Sequence, residues 1–425
     1  MWLYRLILAL FGPPALLLRA GRLALTGRAE PRGLAERLAL SPPRPNGPVL
    51  WLHAASNGEL ASAKATILAI LSRHPGLSLV VTTNTATGRT LAESWRLPGL
   101  VGRLAPVDTW GATRRFLQAV RPAALIVIEN ELWPERLVQT AARGIPVFVL
   151  GARMSAGSER AWARFPGIAR RITDAIAWLS AQDRDSARRF ESLGLNKDRL
   201  GPVLNLKAAF VPDDAPAALP FPRATTLLAA STHPGEEEVI LTAFASAQAS
   251  NPGLRLILAP RHPRRSAEVV RLIADTGLSF AVRSKGQEPT AQTLIYLADT
   301  MGEMDRWYAG AGMTFVAGSL TDRGGHTPYE PAAHGSAILH GPDVTNSAPA
   351  YAALQAAGAS VQVETARDLA AAIIRLADAS IQKEMAEKAR DALSAADPAS
   401  MRPFLAALET ALSGKPAADV HPARA

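Results

Sequence analysis

The sequence predicts an α/β protein built from two Rossmann-like, doubly wound domains facing a cleft. Three observations carry that expectation. Short apolar runs alternate with helical patterns along most of the chain. The runs are close to continuously apolar, as parallel strands covered on both faces are. The alternation stops at a proline-rich break and then restarts.

In the first half, strand signals fall at residues 49–55, 77–83, 123–128, 145–150 and 175–180, with a helical pattern at 60–71 after the first of them. The break holds Pro212, Pro216, Pro220 and Pro222 and reads as a linker. Beyond it, strand signals recur at 225–230, 254–259, 293–298, 313–317 and 336–340, and residues 366–413 are helical by pattern. The division is therefore an amino-terminal segment 1–40, a first domain 41–210, a linker 211–224, a second domain 225–413 with carboxyl-terminal helices, and a tail 414–425.

A chain of 425 residues is long enough for two cores. At 48% hydrophobic and 20% charged it is neither disordered nor a polytopic membrane protein. Lys+Arg 46 against Asp+Glu 37 gives a net charge of +9, a balance that suits nucleic acid, anionic lipid or phosphorylated substrates. The basic residues are dispersed, without a recognition module or interleaved aromatics, which argues against nucleic acid. Having no cysteine, the chain excludes disulfides, Cys-ligated zinc, iron–sulfur clusters and thiol catalysis, and its eight His show no zinc-ligand spacing.

The first 19 residues are apolar but interrupted by Arg5 and by Pro13-Pro14, short of the ~20 uninterrupted residues of a spanning helix. Trp2, Tyr4 and Phe11 followed by Arg19, Arg22, Arg28, Arg32 and Arg37 fit a helix lying on an anionic membrane surface. A helix docked on the first domain is the alternative.

The chemistry-bearing residues cluster at strand ends, where an α/β protein places its ligand. Ser56-Asn57-Gly58-Glu59 offers a glycine for close backbone approach and a carboxylate suited to a general base, or simply a first-turn acid favoured by the helix dipole. The hydroxyl-rich run from Thr82 to Thr87, ending in Gly88-Arg89, suits phosphate or hydroxyl ligands, or a capped loop. In Glu129-Asn130-Glu131-Leu132-Trp133-Pro134, two acids end a buried strand, which is costly unless they are paired or used. Arg153 offers a partner or a substrate contact, and Lys207 is either a site residue or a surface lysine.

In the second half, capping accounts for much of Ser231-Thr232-His233-Pro234-Gly235-Glu236. Pro260-Arg261-His262-Pro263 presents a cation that could meet a phosphate. Gly324-Gly325-His326 ahead of a helix start reads as an anion cradle, and Glu330 just beyond as an acceptor for ribose hydroxyls. Asn346 joins these as a possible substrate contact. Asp183-Arg184-Asp185 is like the metal-holding Asp-x-Asp of some transferases but sits at a helix start. From the residues alone the reading stops at a nucleotide-binding two-domain enzyme.

Taken in order, these motifs resemble those of the 3-deoxy-D-manno-octulosonate (Kdo) transferases of lipopolysaccharide assembly, membrane-associated glycosyltransferases of GT-B architecture. The likeness runs from about residue 3 to 412. It rests on Ser56-Asn57-Gly58-Glu59, Glu129-Asn130-Glu131-Leu132-Trp133-Pro134, Ala152-Arg153-Met154-Ser155, Asn205-Leu206-Lys207, Ser231-Thr232-His233, Pro260-Arg261-His262-Pro263, Asp299-Thr300-Met301-Gly302-Glu303, and the run from Gly318-Ser319 to Gly324-Gly325-His326. The resemblance implies Glu59 as the general base, with Glu129 and Lys207 supporting the transition state. It places Pro260, Arg261, Met301, Gly302, Glu303, Thr327, Pro328, Tyr329 and Glu330 around the cytidine monophosphate of the donor. Further contacts would come from Ser56, Gly58, Arg89, Arg153, Ser231, Thr232, Gly324, Gly325 and His326. The family usually has Asn at 327, Leu at 329 and Thr at 130, where this chain has Thr, Tyr and Asn.

The implied reaction is inverting transfer of Kdo from CMP-Kdo to a lipid A precursor (lipid IVA), without metal or cofactor, at the cytoplasmic face of a bacterial inner membrane. Other GT-B sugar-nucleotide enzymes, such as UDP-GlcNAc 2-epimerases or UDP-sugar transferases, lack the Ser-x-Gly-Glu base combined with Glu-x-Glu-Leu-Trp-Pro. A basic membrane-surface scaffold would leave the strand-end acids unexplained.

Overall fold

A computed structural model describes residues 4–6, 8, 31–209, 212, 219–393 and 398–413. The tail 414–425, most of the amino-terminal segment and the centre of the linker lie outside the described residues. The chain divides into two compact units, Met1–Ala209 with Ala396–Ala425, and Phe210–Ala395.

The first unit carries a six-stranded, wholly parallel sheet: β1 (Val49–His53), β2 (Ser78–Thr83), β3 (Leu100–Leu104), β4 (Ala124–Ile128), β5 (Val147–Ala152) and β6 (Trp178–Ala181). Their order across the sheet is β3-β2-β1-β4-β5-β6. The side chains of β1 alternate between two cores: Leu50 and Leu52 face one, Trp51 the other. Both faces are therefore covered, and the strands read as unbroken apolar runs. Helix Asn57–Arg73 starts where Ser56 accepts a hydrogen bond from the Glu59 amide, and it buries Leu60, Ala63, Ile67 and Ile70 along one stripe.

Strand β3 was not expected from the sequence. It is the sheet's edge, and Gly102 and Arg103 interrupt its apolar run. Residues 31–40, expected within a membrane-associating segment, are instead folded onto the first unit. Helix Pro31–Arg37 delivers Glu36, which is buried and takes Arg32, Arg89 and the Leu104 amide.

The second unit repeats the plan with seven parallel strands: β7 (Thr226–Thr232), β8 (Arg255–Pro260), β9 (Phe280–Val282), β10 (Ile295–Leu297), β11 (Met313–Val316), β12 (Ala337–His340) and β13 (Ser360–Gln362). The order is β13-β12-β11-β7-β8-β10-β9. The two outermost strands, β9 and β13, were not expected either: each has three residues, too few to show a period.

The helical tail appears as Ala366–Leu376, Ala379–Leu393 and Pro398–Leu412. The last of these was expected with the second domain, yet it packs on the first unit's sheet. Phe404 is buried with its ring edge-on to Phe148, 5.8 Å between centroids, and 5.6 Å from Trp178. Large rings pack where an apolar bed exists, and that bed lies on the first unit.

Candidate active site

Doubly wound sheets bind ligands beyond the carboxyl ends of the strands, where the strand order reverses direction. In the first unit that point lies between β1 and β4, and in the second between β7 and β11. The candidate residues gather at both.

At the first point three carboxylates meet. The Glu59 carboxylate turns back over the helix start and accepts hydrogen bonds from the Ala55 amide at 2.7 Å and the Ser56 hydroxyl at 3.3 Å. Burial pushes its carboxyl up to about 7, the Ala55 amide opposes the rise, and the charges of Glu129 and Glu131 add to it. Glu59 is thus poised to take a proton near neutral pH. Gly58 is exposed, and among the described residues nothing lies within 4 Å of the Cβ it lacks.

Glu129 ends β4 with a φ of +55°, a left-handed conformation that side chains rarely adopt, while its amide still bonds to Leu150 O at 2.9 Å. Its Oε1 accepts from Lys207 Nζ at 2.9 Å. Lys207 stands on a short helical turn, Leu206–Ala209, whose Leu206 is buried against Gly151. The lysine is therefore half-buried and paired with Glu129 rather than free at the surface.

Glu131, the second of the two strand-end acids and given no role of its own from the sequence, is paired as well. Its Oε2 accepts from Trp133 Nε1 at 2.6 Å, Asn84 Nδ2 at 2.9 Å and His53 Nε2 at 3.2 Å. Burial works against its charge, but the hydrogen bonds from His53, Trp133 and Asn84 prevail and hold its carboxyl down at about 2. Burial, with the nearby Arg136 charge, lowers His53 to about 4, so His53 is neutral and Glu131 charged at neutral pH. His53 Nδ1 meets Thr82 Oγ1 at 2.9 Å, and that hydroxyl accepts from Trp51 Nε1 at 2.8 Å. A polar chain therefore runs from Trp51 through Thr82 and His53 to Glu131. His53 is hidden from sequence reasoning because it looks like one more residue of a buried strand.

Other candidates move away. Arg89 is buried and pairs with Glu36 at 3.0 Å, so it holds the helix Pro31–Arg37 rather than a substrate. Arg153 lies half-buried at the end of β5; its backbone amide bonds to Asn130 Oδ1 at 2.9 Å. Asp183 caps helix Arg184–Ser192 through the Ser186 amide, and Asp185 pairs with Arg188, which accounts for the Asp-x-Asp spacing.

At the second switch point the loops after β7, β8 and β11 converge. Glu236, expected as a cap of its own helix, is fully buried and reaches across. Its carboxylate accepts from the amides of Gly318 at 2.8 Å, Ser319 at 3.0 Å, Leu320 at 3.1 Å and His233 at 3.0 Å. Thr232 is not free for substrate, since its hydroxyl donates to Glu237 at 2.7 Å and Glu237 is clamped by Arg265. Ser231 has a φ of +62°.

The Gly324-Gly325 anion cradle is not formed. Gly324 N donates to Asp343 Oδ2 at 2.6 Å and Gly325 N to Gly318 O at 2.7 Å, so both amides are used inside the loop. A Cβ on Gly324 would lie 2.5 Å from Asn346 Nδ2, and Asn346 itself braces the loop through Arg323 O. These glycines are there for packing. Arg261, whose amide bonds to Thr232 O at 3.0 Å, leaves β8 after the buried Pro260 and is exposed.

Met301 is 48% exposed beside Gly302, whereas the Glu303 carboxylate is taken by Arg283 at 2.7 Å and by the Thr300 hydroxyl. Glu303 thus shapes its loop, and Met301 and Gly302 stay exposed beside it. Pro328 and Tyr329 open the short helix Tyr329–Ala333, and Glu330 is hydrogen-bonded with the Tyr308 hydroxyl. Thr327 Oγ1 is buried without a partner among the described residues. That is an unmet hydrogen-bonding group at the position where the family usually has Asn.

Known proteins resemble this chain in sequence and in fold. Residues 32–210 match the family described as 3-Deoxy-D-manno-octulosonic-acid transferase (kdotransferase). The chain is 34% identical over 387 residues to the 3-deoxy-D-manno-octulosonic acid transferase of Bordetella pertussis, covering 86% of this chain and 88% of that one. It is 32% identical over 351 residues to the enzyme of the same name from Haemophilus influenzae, covering 80% and 82%. Its fold is like that of the UDP-GlcNAc 2-epimerase from Neisseria meningitidis bound to UDP-GlcNAc, with a TM-score of 0.56 at 14% identity over 85% of this chain and 100% of that one. With two relatives at that identity over most of its length, and with the family's strand-end motifs gathered at the switch points of two parallel sheets, the chain belongs to the Kdo transferase family and is a glycosyltransferase.

Proposed function

We propose that this glycosyltransferase moves Kdo from CMP-Kdo onto a hydroxyl of a lipid A precursor such as lipid IVA, with inversion at the anomeric carbon. The observation that carries the reading is Glu59, whose carboxyl sits at about 7 beside the Glu129–Lys207 pair. The Glu59 carboxylate takes the acceptor's hydroxyl proton as the oxygen forms its bond to the anomeric carbon. The bond from that carbon to the phosphate oxygen breaks, and CMP leaves with the electron pair. Lys207 and Glu129 support the transition state, and Arg261 meets the charge that grows on the departing phosphate. A guanidinium suffices for that charge, so the reading takes no metal and no cofactor.

The lipid nature of the acceptor draws support from an apolar cavity of about 390 Å³ next to Glu131, lined by Tyr4, Leu132, Trp133, Trp162, Phe165 and Ile168. Such a wall suits an acyl chain better than a sugar. Tyr4 donates to Asp108 at 2.7 Å and Arg5 pairs with Glu135 at 2.6 Å, which ties the start of the chain to this side of the first unit. Among the described residues no helix is long and apolar enough to cross a membrane. The reading places the enzyme at the cytoplasmic face of the inner membrane, drawn there by its basic charge.

The test is transfer from CMP-Kdo to a tetraacylated lipid A precursor in detergent, wild type beside Glu59→Gln, with products weighed by mass spectrometry. Product from the wild type and near-complete loss in the variant is expected. A variant as active as the wild type removes Glu59 from the chemistry, and no product from either removes the acceptor.

A further inference from the structure

We propose that His233 and His326 form a subsite for the carboxylate of the donor sugar, and that His233 takes up a proton when that carboxylate binds. The inference rests on the CMP-Kdo reading and goes beyond it. An octulosonic acid carries its carboxylate on the same carbon that bears the phosphate, so its donor presents two anions side by side. Arg261 answers the phosphate and leaves the second anion unassigned.

The two imidazoles face each other across the β7–β11 switch point, with Nε2 to Nε2 at 2.9 Å and rings stacked within 11°. Only one proton can lie between two nitrogens at that distance. The Ser231 backbone acts on His326 in the sense that favours a ring proton on its side, and with that proton at Nδ1 the His326 Nε2 is the acceptor. The shared proton therefore belongs to His233 Nε2. The His233 Nδ1 is then an open lone pair, without a partner among the described residues. As a neutral ring, His233 offers an anion nothing; protonated at Nδ1, it becomes a cationic donor braced from behind by His326.

The fold is shaped around this pair. A Cβ on Gly318 would lie 3.1 Å from His326 Cδ2 and 3.5 Å from His233 Cδ2, and Gly318 has a φ of +71°. Ser231, two residues before His233, holds a left-handed φ of +62°. Strain of this kind persists where the surroundings over-determine it, commonly at a ligand site.

The charges facing the pair are mostly positive. From the β8 turn come Arg261 and His262, with Arg264 beside His262, and from the loop after β11 comes Arg323 beside the exposed Asp322. The nearby acids are occupied, Glu236 by four backbone amides and Glu237 by Arg265 and Thr232. Burial, followed by the charges of Arg323, His262 and Arg261, keeps His233 below its ordinary value despite Glu237, so the empty pair is neutral at neutral pH. A bound carboxylate offsets those charges and draws the proton on.

The test compares wild type with His233→Gln, measuring KM for CMP-Kdo and, separately, the inhibition constant of CMP, which has the phosphate but no carboxylate. Loss of one charge-assisted hydrogen bond should raise KM for CMP-Kdo about tenfold or more. The inhibition constant of CMP should stay within about twofold, which is below the worth of one such bond. In the wild type, KM should rise from pH 6 to pH 8 as the proton becomes harder to hold, and the variant should be flat.

His326→Gln should give the same split should His233→Gln fail to fold, and thermal unfolding checks both. Equal rises in KM and in the CMP constant would assign the pair to the phosphate and overturn the proposal. So would no change in either, or a variant that keeps the wild-type pH response. A wild type that binds CMP but from which CMP-Kdo does not displace it overturns the donor reading itself, and with it this subsite.

Discussion

Lys207 Nζ lies 2.9 Å from Glu129 Oε1, and Glu129 holds the left-handed backbone that brings its side chain to the lysine. Lys207→Met should therefore lower kcat by about 10²–10³, the range for removing one charge-stabilising group from a transition state. Binding of CMP should change little. Glu129→Gly should unfold at higher temperature than Glu129→Ala, by about 1 kcal/mol in stability, since alanine keeps the left-handed strain and glycine does not. Calorimetry on the two variants decides it, and equal stabilities would mean the backbone relaxes when the side chain is lost.

Glu59 gives two opposite pH responses. As a base it works only when deprotonated, so at saturating CMP-Kdo the kcat/KM for the acceptor should rise with pH through about 7 and then level off. Its effect on stability has the reverse sign. The folded state holds the proton more tightly than the unfolded one, so this stabilisation is complete below the ordinary carboxyl value and is lost as pH rises through about 7. Glu59→Gln, fixed in the neutral form, should be about 10²–10⁴-fold slower. Above pH 7 it should also melt higher than the wild type. An inactive variant that melts lower at alkaline pH would contradict the buried-carboxyl account.

The chain from Trp51 to Glu131 turns on one hydroxyl. Thr82→Val keeps the shape but leaves Trp51 Nε1 and His53 Nδ1 buried without a partner, a loss of about 1–3 kcal/mol. His53 is depressed to about 4, so the unfolded chain binds its proton first, and stability present above the ordinary His value falls as pH drops toward 4. Urea unfolding at pH 5 and pH 7.5 measures both effects. A cost near zero would mean that the freed groups find other partners.

Phe165 is 59% exposed at the rim of the apolar cavity beside Glu131. Phe165→Ser should raise KM for an acylated acceptor several-fold, on the order of 1 kcal/mol of lost apolar contact, and leave CMP binding unchanged. Acceptors with successively fewer acyl chains should narrow the gap between variant and wild type. A constant gap would separate the cavity from the lipid.

Much of this was legible in the sequence because local signals suffice for it. Continuous apolar strands with polar turns gave both sheets, and Ser56 and Glu59 lie within one helix start. What was not legible depends on distant partners. Glu236 looks like an ordinary first-turn acid until the loop at 318–320 is brought over it. Gly324 and Gly325 look like an anion site until Asp343 and Gly318 are seen to occupy their amides. His53 gains its meaning from Glu131, 78 residues away. The short edge strands β9 and β13 have too few residues to show any period.

The position of Phe404 bears on how the protein is made. The helix Pro398–Leu412 completes the first unit, yet it is the last described segment to be synthesised. The bed around Phe148 and Trp178 must stay unfilled while the ribosome translates the whole second unit, at about 5–20 residues per second. During that interval the nascent first unit presents open apolar surface to chaperones. A late stop codon would accordingly damage the opposite end of the gene product, leaving the second unit's sheet intact and the first unit's sheet without its cover.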